Sequence, residues 1–144
     1  MKTEPARLSD APRLRQLMEQ LEGTPCQEPT FSQVLEQMLA RPEYTLAVVR
    51  DEAGEAIATA MGILCLDLAG EGRPFMLIEN VVVEERHRGS GAGRRVMAYL
   101  EDVARRRHCC YTMLVSGSQR TGAHRFYERL GYPPDRARGF KKDL

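Results

Sequence analysis

Phe75-Met76-Leu77-Ile78-Glu79-Asn80-Val81-Val82-Val83, running straight into Glu84-Glu85-Arg86-His87-Arg88-Gly89-Ser90-Gly91-Ala92-Gly93-Arg94, is the stretch that decides the fold. Its first nine residues favour a strand and close on three valines, the pattern of a strand covered on both faces. A glycine loop follows, and Val96, Leu100, Val103 and Ala104 then recur at the spacing of a long amphipathic helix. Strand, glycine loop and helix together make an anion cradle. The first amides of a helix lack intrahelical partners and carry partial positive charge, and glycine lets a ligand approach the backbone. Two common phosphate loops do not match. No Gly-Lys-Ser/Thr tripeptide is present, and a dinucleotide Gly-x-Gly-x-x-Gly would need glycine at position 94, where Arg94 stands.

Outward from this centre, the pattern predicts strands with interleaved helices, an α/β chain. Towards the N-terminus, Ser9 or Asp10 can cap a helix started by Pro12, with Leu14, Leu17, Met18 and Leu21 on its apolar side and Gly23 at its end. Thr30 can cap a second helix, striped by Val34, Leu35, Met38 and Leu39 and stopped by Pro42. Tyr44–Arg50 and Ala56–Leu66 read as the two strands of a hairpin joined through Asp51–Glu55. Towards the C-terminus the pattern predicts a strand over Tyr111–Val115, a helix over Gly122–Leu130, and a short strand or tail over Gly139–Leu144.

The chain has 144 residues, 42% hydrophobic and 28% charged, which fits one domain with a buried core and excludes disordered and fibrous classes. No apolar run approaches the roughly 18 residues of a membrane span, and charges scattered through Met1–Arg15 exclude a secretory signal, so a cytoplasmic protein is expected. Cys26, Cys65, Cys109 and Cys110 have no metal-site spacing with His87, His108 or His124. No metal is expected, and the thiols at 65, 109 and 110 read as small core hydrophobes. Net charge is only +1, against a general nucleic-acid binder. Residues 1–83 nevertheless hold 7 basic and 13 acidic side chains, and residues 84–144 hold 14 and 7. The C-terminal part therefore favours an anion, unless its arginines are simply solvated helix faces.

Three quoted motifs stand together: Arg88, Gly91 and Gly93 as Arg-x-x-Gly-x-Gly, the strand Ile78–Val83, and Ala123–Tyr132 ending in Tyr-Glu-x-x-Gly-aromatic. Their combination resembles the GNAT N-acetyltransferases. That resemblance implies a single domain over 1–144, with a central mixed β-sheet flanked by about four helices, and acetyl-CoA as cosubstrate. It implies pyrophosphate binding by the backbone amides of Arg88, Gly89, Ser90, Gly91, Ala92 and Gly93. It further implies that Val81 and Val83 offer backbone groups to the pantetheine arm. Glu85 stands where the family often has proline, and Arg120 where it often has asparagine, although Arg120 can itself reach a phosphate. Arg88, Arg94 and Arg95 are placed either for phosphate contact or as a solvated helix start.

An attacking primary amine must be neutral, and lowering its pKa from ~10.4 to about 7 corresponds to roughly 4 to 5 kcal/mol. Glu79, the only acid between Phe75 and Val83, is the candidate base; the other reading is a groove residue paired with an arginine. Tyr127 shares a helix face with Arg120, Ala123 and Leu130, which directs its hydroxyl inward. In the family a tyrosine at this place hydrogen-bonds the leaving sulfur. A phenol near ~10 is a weaker acid than a thiol near ~8.5, so stabilising the developing thiolate is a safer role than full proton transfer; a core tyrosine is the alternative. The acceptor is expected to be a small-molecule amine. The length, Arg120–Tyr127 and the closing Phe140-Lys141 resemble aminoalkylphosphonate N-acetyltransferases, and Ile78–Val83 is similar to glucosamine-phosphate N-acetyltransferases, with Arg73 or Arg138 available for an anionic group. A protein or peptide amine, or a non-catalytic acyl-CoA sensor, stays open, and an apolar edge near the C-terminus would suit a homodimer.

Overall fold

A computed structural model describes all of residues 1–144. Its elements run β1 (Lys2–Pro5), α1 (Ala11–Glu22), α2 (Thr30–Leu39), β2 (Tyr44–Arg50), β3 (Ala56–Cys65), β4 (Phe75–Val83), α3 (Ala92–Arg106), β5 (Thr112–Met113) and α4 (Thr121–Arg129). The chain divides into two compact units, Met1–Met113 and Leu114–Leu144. No helix is long and apolar enough to cross a membrane.

In the first unit the strands form one sheet in the order β1-β2-β3-β4-β5, antiparallel as far as β4 and parallel between β4 and β5. The mixed α/β sheet is as expected. Val48 of β2 lies opposite Thr59 and joins Leu14 of α1 and Leu35 of α2 in a buried cluster. Gly62 points the other way, and a Cβ built on it would sit 2.7 Å from Met76 Sδ and 3.2 Å from Leu100 Cδ2. Side-chain alternation therefore puts α1 and α2 on one face and α3 on the other, with glycine required where α3 and Met76 close in. Leu14, Leu17, Ile57, Met76, Ile78, Val96, Met97 and Leu100 are fully buried, each contributing about 1.5–3 kcal/mol of transfer free energy.

The largest departure from expectation is β1, which pairs Lys2–Pro5 with Ala47–Arg50. Alternating charge hid it: Glu4 accepts from Arg50 Nε at 2.7 Å, a partner 46 residues away. Asp10 occupies the cap position of α1, but its carboxylate takes the Arg7 amide (2.8 Å) and Arg50 Nη2 (2.8 Å) instead of the helix amides. Thr30 is the first residue of α2 and not its cap; Glu28 reaches over to the Ser32 amide and hydroxyl. Only Leu35 of the α2 stripe is buried, with Val34 and Leu39 exposed, and α2 packs against β2 and α1. β3 ends one residue short of Leu66. β5 is two residues instead of five, and Tyr111 before it stacks on Phe75 at 5.1 Å. Cys65 and Cys109 are half-buried and Cys110 is exposed, so none is a core residue; all four thiols are free. Burial pushes the Cys109 thiol up.

In the second unit α4 starts at Thr121, one residue early, and residues 139–144 form the tail alternative without a strand. His124 Nε2 meets the Gly117 carbonyl at 2.8 Å, and Tyr127 packs edge-on against Phe126 and Tyr132.

Candidate functional site

β4 does not run evenly beside β3. Thr59 faces Val82 and Met61 faces Glu79, so two residues, Asn80 and Val81, oppose the single Ala60. This is a β-bulge, and Asn80 carries it with φ +54, a conformation that asparagine tolerates better than other side chains. Glu79, half-buried opposite Met61, sits immediately before the bulge and on the face that α1 and α2 cover. On its other edge β4 pairs with β5 only through Met76 and Leu77, so no strand runs alongside Ile78–Val83. Glu84 donates its amide to Ile57 O at 2.8 Å, which turns the Val83 amide and carbonyl towards that open edge. There Gln20 of α1 intervenes: its Nε2 donates to Val83 O at 2.9 Å and its Oε1 accepts from the Glu85 amide at 3.1 Å.

The loop divides its amides into two sets. Arg88 donates to Glu85 O at 3.2 Å, Ser90 to His87 O at 3.2 Å and Ala92 to Ser90 Oγ at 3.3 Å, all within the loop. The amides of Gly89, Gly91, Gly93 and Arg94 donate to no acceptor in the chain. Gly89 and Gly91 have φ of +80 and +90, and nothing lies within 4 Å of a Cβ at either. The left-handed backbone at Gly89 and Gly91 accompanies a run of donors without acceptors at the start of α3, which fits an extended polyanion such as a pyrophosphate. Gly93 is buried in the first turn of α3, which begins at Ala92, inside the stretch read from sequence as loop.

The basic residues divide similarly. Arg86 pairs with Glu84 at 2.9 Å, and exposed Arg88 with Glu85 at 3.6 Å. Arg94 and Arg95 are exposed and make no ion pair. Arg73 donates to His108 O and Cys109 O at 3.2 Å each beyond the end of α3, through Nε and Nη2. Arg138 is exposed in the second unit, as is Arg120, the residue preceding α4; Tyr127 is half-buried there on α4. Gln20, Asn80 and Glu84 were not singled out from sequence. Asn80 alone left a signal, being the residue most able to replace glycine at positive φ inside a strand.

Glu84 is 9% exposed, and burial alone would raise its pKa. Hydrogen bonds from Arg86, Arg13 and His87 outweigh that and lower it from the ordinary 4.5 to about 2. Glu4 is likewise lowered to about 2, by Lys2 and Arg50, and Asp10 is lowered by Arg50 and the Arg7 amide against its burial. Depressed folded-state values mean that the unfolded chain binds protons first. The stabilisation from these carboxylates is complete above about pH 4.5 and is lost as pH falls towards 2. Melting temperature measured against pH should be flat near pH 6 and fall steadily below 4.5; a curve unchanged down to pH 3 would contradict these ion pairs.

A model of the acetyltransferase (GNAT) family matches residues 11–132. A candidate acetyltransferase from Agrobacterium tumefaciens is 31% identical over 100% of both chains, with a TM-score of 0.92. A glucosamine-6-phosphate N-acetyltransferase from Arabidopsis thaliana is 23% identical over 98% of this chain and 97% of its own, with a TM-score of 0.84. A protein from Bacillus halodurans described as a transcriptional regulator is 20% identical over 99% of each chain, at 0.91. These last two are likenesses of fold.

Proposed function

The chain belongs to the GNAT acetyltransferase family and is an acetyl-CoA-dependent N-acetyltransferase, and on that premise we propose that it acetylates the primary amine of a small molecule, by direct attack in a ternary complex. One domain over residues 1–144 would do this, since the family match reaches from α1 past α4. What supports the proposal is the placing of Glu79 at the bulge of the strand that runs directly into the amide-rich loop.

The amides of Gly89, Gly91, Gly93 and Arg94 would hold the pyrophosphate, with Arg94 or Arg95 available to a phosphate oxygen. Val83 O already accepts from Gln20, so Val81 and the Val83 amide are the backbone groups left for the pantetheine arm. Acetyl-CoA, when bound, supplies a thioester carbonyl activated towards amines. Glu79 accepts the ammonium proton on its carboxylate, directly or through water. The Tyr127 hydroxyl donates to the leaving sulfur and so stabilises negative charge there. Residues 1–83 carry a net charge of −6, which attracts a cationic amine.

Thiol release from acetyl-CoA across a panel of small amines, with a lysine peptide as a separate arm, tests this. Amine-dependent thiol is expected, slowed about ten-fold or more in Tyr127→Phe with acetyl-CoA affinity unchanged. Release with the peptide alone would overturn the small-molecule acceptor, and carrier binding without amine-dependent thiol would overturn catalysis.

A further inference from the structure

Three residues with polar or charged side chains are buried: Asp10, Thr59 and Glu84. Thr59 is satisfied by Ala47 O at 2.7 Å, and Asp10 holds β1 and the turn before α1 against Arg50. Glu84 has no such role in the sheet, because its carboxylate points into the turn that precedes the glycine loop. Its Oε2 meets His87 Nδ1 at 2.7 Å, its Oε1 accepts from Arg86 Nε at 3.0 Å, and the same oxygen forms an ion pair with Arg13 Nη2 at 2.7 Å. Its carbonyl also takes the His87 amide at 2.9 Å, so His87 is held at two points. Arg13 is itself fixed, its Nε donating to Ala56 O at 2.8 Å. Gln20, two helical turns further along α1, spans Val83 O and the Glu85 amide.

Turn 85–88 is thus bonded on both sides to α1 and β4, while the residues beyond it carry the unbonded amides. We propose that Glu84 is a positioning residue for the anion-binding loop: it fixes the turn through Arg86 and His87, ties it to α1 through Arg13, and so presets the amides of Gly89, Gly91, Gly93 and Arg94 for one ligand. Presetting removes the ordering cost that a mobile loop would impose on binding. The ligand named here, the acetyl-CoA pyrophosphate, rests on the function proposed above. A rival role has the opposite sign. If Glu84 only neutralised Arg86, removing its charge would release that guanidinium towards a phosphate and tighten binding.

Calorimetric affinity for acetyl-CoA and for free CoA should be measured on the unmodified chain, Glu84→Gln, His87→Ala and the double variant. Hydrogen exchange of the Arg88 and Ser90 amides should be followed in the same four without ligand. Affinity is expected to fall about ten-fold in Glu84→Gln and several-fold in His87→Ala, with the double variant no worse than Glu84→Gln, because both remove one connection. kcat at saturating carrier should stay within about two-fold, confining the effect to KM. Exchange of both amides should be at least about ten-fold faster in each variant. Glu4→Gln, which breaks a comparable ion-pair cluster on β1, is the control for lost stability and should leave affinity and these amides unchanged. His87→Ala keeps the Glu84–Arg13 pair and serves if Glu84→Gln does not fold. Unchanged exchange, or equal or tighter carrier affinity in both variants, would overturn the positioning role. Absence of carrier binding in the unmodified chain would overturn the proposed function instead, and the exchange rates would still decide whether Glu84 orders the loop.

Discussion

Replacing Glu79 by Gln is expected to lower kcat/KM at pH 7 by about 100-fold or more, within the usual range for losing a general base. Gln keeps the size of the side chain and its place opposite Met61 before the bulge, but it cannot take a proton. Acetyl-CoA affinity should not change, because the amides proposed to hold it belong to the loop and α3. The pH profile carries the decisive sign. Without a base, the variant depends on the fraction of acceptor already neutral, which rises about ten-fold per unit up to the amine pKa near ~10.4. Its log(kcat/KM) should therefore climb with unit slope as pH rises, more steeply than that of the unmodified protein. The deficit shrinks towards high pH. Equal rates at pH 7, or parallel profiles, would remove Glu79 from the proton transfer.

Gly91→Val is the second large effect expected, and it acts on the carrier. Gly91 has φ +90 at the start of α3, and a side chain there would project from the backbone between Gly89 and Gly93, whose amides are unbonded. Losing two charge-assisted hydrogen bonds, at roughly 1.5–2 kcal/mol each, would weaken acetyl-CoA binding by on the order of 100-fold. Valine also strains the left-handed backbone by about 1–2 kcal/mol. Gly54→Val separates the two effects, since Gly54 has φ +84 in the β2–β3 turn with equally open surroundings. Both variants should melt at lower temperature, but only Gly91→Val should lose the carrier in calorimetry. Retained affinity in Gly91→Val would show that these amides do not bind it.

Most of the architecture could be read before any coordinates because its causes are local. The β2–β3 hairpin shows in its β-forming residues and in Asp51, whose carboxylate takes the Glu55 amide at 2.9 Å. α1 and α3 show in their helical periodicity, and β4 agrees with its expected bounds Phe75–Val83. The misplaced features have distant causes. β1 exists because Glu4 finds Arg50, and β5 shrank to two residues although Tyr111–Val115 has the composition of a longer strand. The same division runs through the candidate site. Glycines at 89, 91 and 93 mark an anion loop by chemistry alone, but nothing in their spacing says that Ser90 and Ala92 turn their amides inward. Nor does sequence say that two backbone carbonyls accept from the Arg73 guanidinium.

By itself, then, the order of residues determined the helices, the strands β2, β3 and β4 and where an anion can approach, since period, turn chemistry and glycine content act over a few neighbouring residues. Tertiary structure alone decided which amides stay free, where β4 bulges, and that Gln20 and Arg13 of α1 hold the turn before the loop. The contacts of Gln20 and Arg13 join groups dozens of residues apart, and a hydrogen bond or ion pair over such separations is settled only when packing brings its two ends together.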